Sequence, residues 1–433
     1  MSLPCPVRSV VFTRVRFLLA NNHCISDPTA GVTHSLLTIM RWLAADGHQC
    51  HVLTTARFES PVTFTIEEHL RDLGVHVEPC PDGRTTPAAR SRKRPNASGR
   101  RVVRYSVDGV SVTLLMTRRN DETRPDRSEA AQYQRLLEGL LDEVAPHQVI
   151  ACNAHPMIGV ALATARSRGA TTVFTVRGFG YYERRYFAHA DHVFTCSQYL
   201  TDLYREKVGL ISTPIEPPIE WAKVVAPADA RAFVTFVHPA PHKGLLLFAR
   251  LAEMLGRRRP DIPILVIQSG QSAGSLNAIP GIDFRQYPQI MAAPPTPTPA
   301  DYLALTRILL VPSIWAEPFG RVAAEAMING IPPLVSDRGS LPHVVGGDFS
   351  GGGGGRVLPI PEWLTFKSSR LPDEAEVQPW FDAVCDLWDD AALYRRVAGR
   401  ARQIAEERYA EAVSRQRHLT YLTSLQSGGR LFA

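Results

Sequence analysis

No run of 18 apolar residues occurs in the chain, so no stretch is long enough to span a bilayer as a helix. Cysteine is sparse. Cys5, Cys24, Cys50, Cys80, Cys152, Cys196 and Cys385 are scattered, odd in number and form no C-x-x-C pair. That spacing argues against a disulfide framework or a thiolate zinc site and for a reducing compartment, where the sequon at Asn96 has no meaning. The first twenty residues are apolar enough to raise the question of a signal peptide, but Arg8, Arg14 and Arg16 interrupt any hydrophobic core. A cytoplasmic location is expected. No internal repeat of solenoid length is visible either.

What is present fits a globular protein of two ordinary domains: 433 residues, with 45% hydrophobic and 21% charged. The net charge of +6 is local. Residues 84–104 hold eight Lys or Arg and no acid, which leaves the rest of the chain slightly negative. This stretch belongs to an insertion over about 81–125 that lacks periodicity except for a β-rich piece, Val110 to Met116. We read its basic part as a solvated loop. A second reading is peripheral contact with an anionic surface, such as lipid headgroups at the inner membrane face. Nucleic acid is disfavoured because aromatic residues do not interleave with the charge. The sequence carries no signal of oligomeric state.

Strand and helix patterns alternate along both halves. Val10 to Phe12 read as a first strand, and a loop containing Gly31 leads to a helix from Val32 to Asp46. Gln148 to Ala151, Thr171 to Val176 and His192 to Cys196 continue the series. Prolines 214, 217, 218 and 227 suit an interdomain linker, after which Phe233 to Val237, Ile264 to Ile267 and Ile308 to Val311 open a second series. The expected division is 1–218, 219–408 and a final segment, 409–433, whose helix packs back. The fold class is α/β, with two Rossmann-like, doubly wound parallel-sheet domains facing a cleft. Gly351 to Gly355 neither follow a strand nor open a helix, and read as a mobile connection.

The most informative stretch is residues 307–336. An apolar strand ends at Pro312, a loop carries Trp315, Glu317 and Gly320, and a helix runs from Arg321 to Asn329 before another strand. The first amides of a helix are unpaired and its dipole end is positive, which suits an anion. Glu317 and Glu325 are placed to accept hydrogen bonds from hydroxyls on either side of a bound diphosphate. Lys243, at a strand-to-helix turn, is a suitable phosphate cation. Plainer readings exist for each: a charge at the start of a helix, a solvated glutamate, an exposed lysine. His155, at another strand end, is a cleft candidate that also reads as structural.

The segment EPFGRVAAEAMINGIPPLVSDRG resembles the donor-site signature of retaining glycosyltransferases of family 4. GVTHSLLTIMRWLAADGHQCHVLTT, ADHVFTCSQYL and PHKGLLLFARLAEML carry weaker matches. The resemblance implies the two-domain GT-B architecture and a nucleoside-diphosphate sugar donor, UDP- or GDP-linked, with no further cofactor. It implies Glu325 on the ribose and Glu317 on the sugar hydroxyls. Phe319, Gly320, Arg321 and Val322 would lie along the sugar and diphosphate, with Lys243 and the Gly31 backbone at the diphosphate. Two positions depart from the pattern. His238, expected among the donor-binding residues, stands where the family often has an arginine that shares the diphosphate with the lysine, and Arg177 where it often has a histidine reaching the reacting sugar. No Asp-x-Asp, the metal-holding pattern of the other major glycosyltransferase architecture, is present, so metal independence is expected. The acceptor, whether small molecule, glycan or lipid-linked, is not legible. Sugar-nucleotide 2-epimerase activity and non-catalytic sugar-nucleotide binding are the alternatives.

Overall fold

The computed structural model describes residues 14–432 apart from positions 29, 61, 77, 80–101, 119–124, 154, 269–273, 278, 280, 297 and 430. Two compact units result. One contains the chain up to Phe194, Arg205–Thr213 and the segment from His418 onward; the other contains Thr195–Tyr204 and Pro214–Arg417.

The first unit is built on a sheet of β1 (Arg16–Ala20), β2 (Gln49–Thr55), β3 (Glu78–Pro79), β4 (Val102–Val107), β5 (Val110–Leu115), β6 (Gln148–Cys152), β7 (Thr171–Val176), β8 (His192–Thr195) and β9 (Thr213–Pro214). Their order is β3-β4-β5-β2-β1-β6-β7-β8-β9. Every residue of β6 and β7 is buried, as expected of central parallel strands covered on both faces. Because β1 pairs with β2 on one side and β6 on the other, the carboxyl ends of β1 and β6 frame the crevice of this sheet. Asn21 and Asn22 follow β1; Asn153, at φ +75°, follows β6 and donates its side-chain amide to the Asn22 side chain.

The chain's last stretch completes this unit. Gln148 donates its side-chain amide to the Leu422 carbonyl at 2.6 Å, Thr171 and Ser427 share a hydroxyl hydrogen bond at 2.9 Å, and Ile211 N donates to Leu431 O at 2.7 Å.

In the second unit, β10 (Phe233–Val237), β11 (Ile264–Ile267), β12 (Ile290–Ala293), β13 (Thr306–Val311), β14 (Pro333–Ser336) and β15 (Arg356–Leu358) are ordered β12-β11-β10-β13-β14-β15. All five pairings are parallel. This is the Rossmann strand order, and its reversal falls between β10 and β13. The helix Leu245–Arg258 lays Leu247, Phe248, Leu251 and Leu255 on the sheet, with Phe248 stacked on Phe236 at 4.3 Å. Outside it, the helix Glu374–Asp389 buries Trp380, whose indole N–H donates to the Pro359 carbonyl at 3.0 Å. A buried indole needs such a partner.

Several local expectations change. The strand expected at Val10 to Phe12 lies outside the described residues, and the sheet opens on Arg16–Ala20 instead. The β-rich piece expected at Val110 to Met116 is β5, and β4, in the preceding stretch expected to be irregular, is the addition. They form an antiparallel hairpin across Asp108-Gly109, both at positive φ, the turn chemistry that two-residue hairpins favour. Of the basic stretch, residues 84–101 fall outside the described residues, while Arg104 sits in β4 and pairs with Glu143 at 2.9 Å. The glycine run is not a mobile connection. Gly353, Gly354 and Gly355 are buried, Gly354 N donates to Val345 O at 2.7 Å, and Gly355 bridges to Asp348, because the run closes the backbone of a tight loop before β15.

Among the described residues, no helix is long and apolar enough to cross a membrane.

Candidate active site

Strand order alone brings together two loops of the second unit that lie far apart in sequence. The turn after β10 carries His238, His242 and Lys243; the loop after β13 carries Ser313, Trp315 and Glu317. Gly244 allows their approach. At φ +88° it occupies left-handed space, and a Cβ there would lie 1.9 Å from the Pro312 carbonyl oxygen. Ile314 N then donates to His242 O at 3.1 Å, pinning one loop on the other.

Lys243 Nζ donates to Glu317 Oε1 at 2.6 Å, and Ser313 Oγ donates to the same oxygen at 2.7 Å. Glu317 Oε2 has no hydrogen-bond partner among the described residues. The loop itself is held by Ser336 Oγ on Ser313 O at 2.6 Å and Ser340 N on Glu317 O at 2.9 Å. Trp315 covers the pair: its ring centroid is 5.6 Å from Lys243 Nζ and 5.6 Å from the His242 ring.

The helix Arg321–Ile328 starts beside this pair. Its N-cap, Gly320, sits at φ +94° and offers no side-chain cap, so the first amides remain available. A cavity of about 240 Å³ is lined by His238, Lys243, Ser313, Glu317, Gly320, Arg321 and Val322 together with the ends of β10 and β13. A cation, a carboxylate and a helix N-terminus therefore share one cavity at the topological reversal. That combination suits an anion bearing neighbouring hydroxyls.

Glu325 and Phe319 do not line the cavity. Glu325 is 3% exposed, not solvated, and its carboxylate accepts from Arg321 Nε at 2.8 Å. Burial pushes its carboxyl above the ordinary range, opposed by Arg321. The same Arg321 donates to the Pro218 carbonyl at 3.1 Å, so its guanidinium braces the helix. Phe319 packs edge-on against Tyr409, with centroids 5.8 Å apart, which leaves its backbone as the part available to a ligand.

The remaining expected residues belong to the first unit. Gly31 opens the helix Gly31–Ala45 at ordinary φ, with nothing within 4 Å of a Cβ there. His155 is the N-cap of the helix Pro156–Ser167, its Nδ1 accepting from Met157 N at 3.2 Å. It lines a cavity of about 820 Å³ with Asn153, Arg127, Arg185, Tyr186 and His189. Arg177, just past β7, is 9% exposed and holds its guanidinium 5.3 Å from the Phe194 ring centroid.

Sequence reasoning missed Ser313, Gly244 and Trp315 as parts of the site. Their only signal was position, at the carboxyl ends of two apolar runs.

Residues 220–352 match the family described as glycosyl transferases group 1, a span that contains Lys243, Glu317 and Glu325. The chain is therefore a glycosyltransferase, and its two parallel-sheet domains have the GT-B fold. Among solved structures it is similar to a glycosyltransferase from Rickettsia africae, at 12% identity and TM-score 0.63, over 95% of this chain and 98% of that one. HepE of Anabaena, in complex with UDP, is 14% identical at TM-score 0.65, over 95% and 100%. The catalytic domain of starch synthase IV from Arabidopsis thaliana, bound to ADP and acarbose, is 12% identical at TM-score 0.65, over 95% and 99%. No curated protein matches the sequence.

Proposed function

We propose that the chain moves a sugar from a nucleoside-diphosphate sugar, UDP- or GDP-linked, to an acceptor hydroxyl with retention at the anomeric carbon. The observation that carries this reading is the Lys243 and Glu317 pair beside an uncapped helix N-terminus, inside the span matched to group 1 glycosyltransferases. That the Anabaena structure is in complex with UDP and the Arabidopsis one is bound to ADP supports a nucleoside-diphosphate ligand for this fold.

Cleavage of the sugar to phosphate bond builds negative charge on the leaving diphosphate. Lys243 and the amides at Gly320, Arg321 and Val322 stabilise it without reorganising. Glu317 holds sugar hydroxyls through the oxygen that Lys243 and Ser313 leave open, and Glu325 the ribose. A phosphate oxygen takes the acceptor proton, so neither a protein nucleophile nor a metal is needed. The second unit is the donor domain. The first is the acceptor domain, in which Arg177, standing for the family's histidine, brings positive charge towards the reacting sugar, His155 is the alternative cleft residue, and the Gly31 backbone approaches the diphosphate.

The test is a thermal-shift screen against nucleoside diphosphates and their sugars, since a ligand that binds only the folded state raises its apparent stability. Transfer is then assayed, with and without EDTA, for wild type, Lys243→Ala and Glu325→Ala. Each substitution is expected to cost about 2–4 kcal/mol of transition-state stabilisation. Full activity in both overturns the site. NMR of the sugar nucleotide incubated without acceptor separates transfer from 2-epimerisation.

A further inference from the structure

One side chain of the donor cavity has no task in the transfer just described. His238 directly follows β10 and holds φ +63°, a left-handed conformation uncommon for a residue with a Cβ. Two backbone bonds fix it there: His238 N donates to Ile267 O at 3.0 Å, and Ala240 N donates to His238 O at 2.7 Å. His238 is one of the residues that line the cavity, its ring centroid is 5.7 Å from that of His242, and neither ring nitrogen makes a hydrogen bond among the described residues. Strain retained at a cavity wall, with an imidazole presented to the cavity, is the pattern of a residue held for a ligand.

We propose that His238 is a proton-gathering subsite for the donor diphosphate: neutral in the free protein, it takes a proton from solvent as the diphosphate arrives and becomes a second cation beside Lys243. This rests on the reading that the cavity accepts a nucleoside-diphosphate sugar.

The charged and titratable groups that act on His238 are Lys243 and His242 from its own turn and Glu317 from the loop after β13, while Arg321, which also lines the cavity, turns its guanidinium to Glu325 and the Pro218 carbonyl. In the free protein the balance opposes a charge. Burial comes first, then Lys243 and His242, against the opposing pull of Glu317, and together they lower the imidazole to about 4. His242 is lowered too, by burial and Lys243. A diphosphate reverses the largest electrostatic influence, because an adjacent anion favours the imidazolium. The sign follows directly. The bound state carries more protons than the free state, so affinity rises as pH falls.

If the bound imidazole returns to its ordinary value of about 6.5, affinity at pH 5.5 exceeds that at pH 8 by roughly tenfold, and about half a proton is absorbed per ligand at pH 6.5. A sugar nucleotide is the right probe. Its diphosphate is esterified at both ends, whereas the terminal phosphate of a free nucleoside diphosphate titrates near pH 6 itself.

Isothermal titration calorimetry of the full chain with UDP-, GDP- and ADP-sugars, at pH 5.5 to 8 and in two buffers of different ionisation enthalpy, measures both quantities. Wild type is expected to tighten about tenfold towards pH 5.5 and to absorb protons. His238→Asn removes the titration while tolerating the left-handed backbone, and is expected to bind with a flat pH profile and no uptake. His242→Gln is expected to keep both effects. Wild-type binding without proton uptake overturns the inference alone, even if the His238 variant does not fold. Uptake that survives His238→Asn, or is lost in His242→Gln, also overturns it. Failure of every sugar nucleotide to bind at any pH overturns the donor-site reading and this inference with it.

Discussion

Glu317→Gln is expected to have opposite effects on two closely related ligands. In the structure, the Lys243 ammonium is 2.6 Å from Glu317 Oε1, so part of its field is already spent on a carboxylate. The lysine side chain is 27% exposed and that of the glutamate 9%, a setting between bulk water and protein interior. Two unit charges at about 4 Å interact by roughly 1 kcal/mol in water and roughly 4 kcal/mol at an effective dielectric of 20. Removing the glutamate charge should therefore release about 1–2 kcal/mol of attraction for a bare nucleoside diphosphate, roughly 5- to 30-fold in affinity. Glutamine keeps a carbonyl oxygen for the Ser313 hydroxyl, so the loop should hold. The sugar nucleotide should gain nothing, because a charge-assisted hydrogen bond to a sugar hydroxyl, worth about 1.5–3 kcal/mol, is lost at the same time. Calorimetric titration of both ligands into wild type, Glu317→Gln, Lys243→Met and the double variant measures this. Lys243→Met should weaken both ligands, and the gain from Glu317→Gln should vanish in its background. If Glu317→Gln weakens the bare diphosphate as much as Lys243→Met does, Glu317 is only a support for the turn and the electrostatic reasoning fails.

Two further outcomes follow from the same loops. Gly244→Ala puts a Cβ against the Pro312 carbonyl at a positive φ, so the turn has to move; a loss above about 2 kcal/mol in the second unit and weaker nucleotide binding are expected, and an unchanged melting temperature would contradict the packing. Burial raises the Glu325 carboxyl, so the folded state keeps that proton to higher pH than the unfolded state does, and the group subtracts stability as pH rises from its unfolded value through the raised folded one. Glu325→Gln lacks this slope, so its melting temperature relative to wild type should shift in its favour between pH 4 and pH 7, and a pH-independent difference would refute the sign.

Much of the fold is legible because central parallel strands are apolar on both faces. Phe233–Val237 and Thr171–Val176 stand out as runs of β-branched and aromatic residues without charge, and the structure has strands over those same residues. The first strand is harder. Apolar residues lie on both sides of Arg14 and Arg16, and what selects Arg16–Ala20 is pairing with β2 and β6, which a local window does not contain. Of the hairpin, β5 is legible as a β-rich piece, whereas β4, although signalled by Asp108-Gly109 between alternating valines, is obscured by neighbouring charge. At the site, Lys243 and Glu317 are readable as the right chemical types. Their contact is not, because it spans 74 positions and exists only where β10 and β13 become neighbours. Glu325 shows the converse limit: a helical glutamate reads as solvated, and only packing reveals it as buried.

The hydrogen bonds from Gln148, Thr171 and Ile211 to the segment beyond His418 have a consequence for biosynthesis. Strands β1 to β8 leave the ribosome first, yet their unit is finished only by residues translated after the entire second unit. During translation β6 and β7 wait with these partners unmade, while the second unit can close around its own sheet. A nascent chain stalled before position 418 should therefore yield a protease-resistant second unit beside a protease-sensitive first one, the reverse of the order in which they were made.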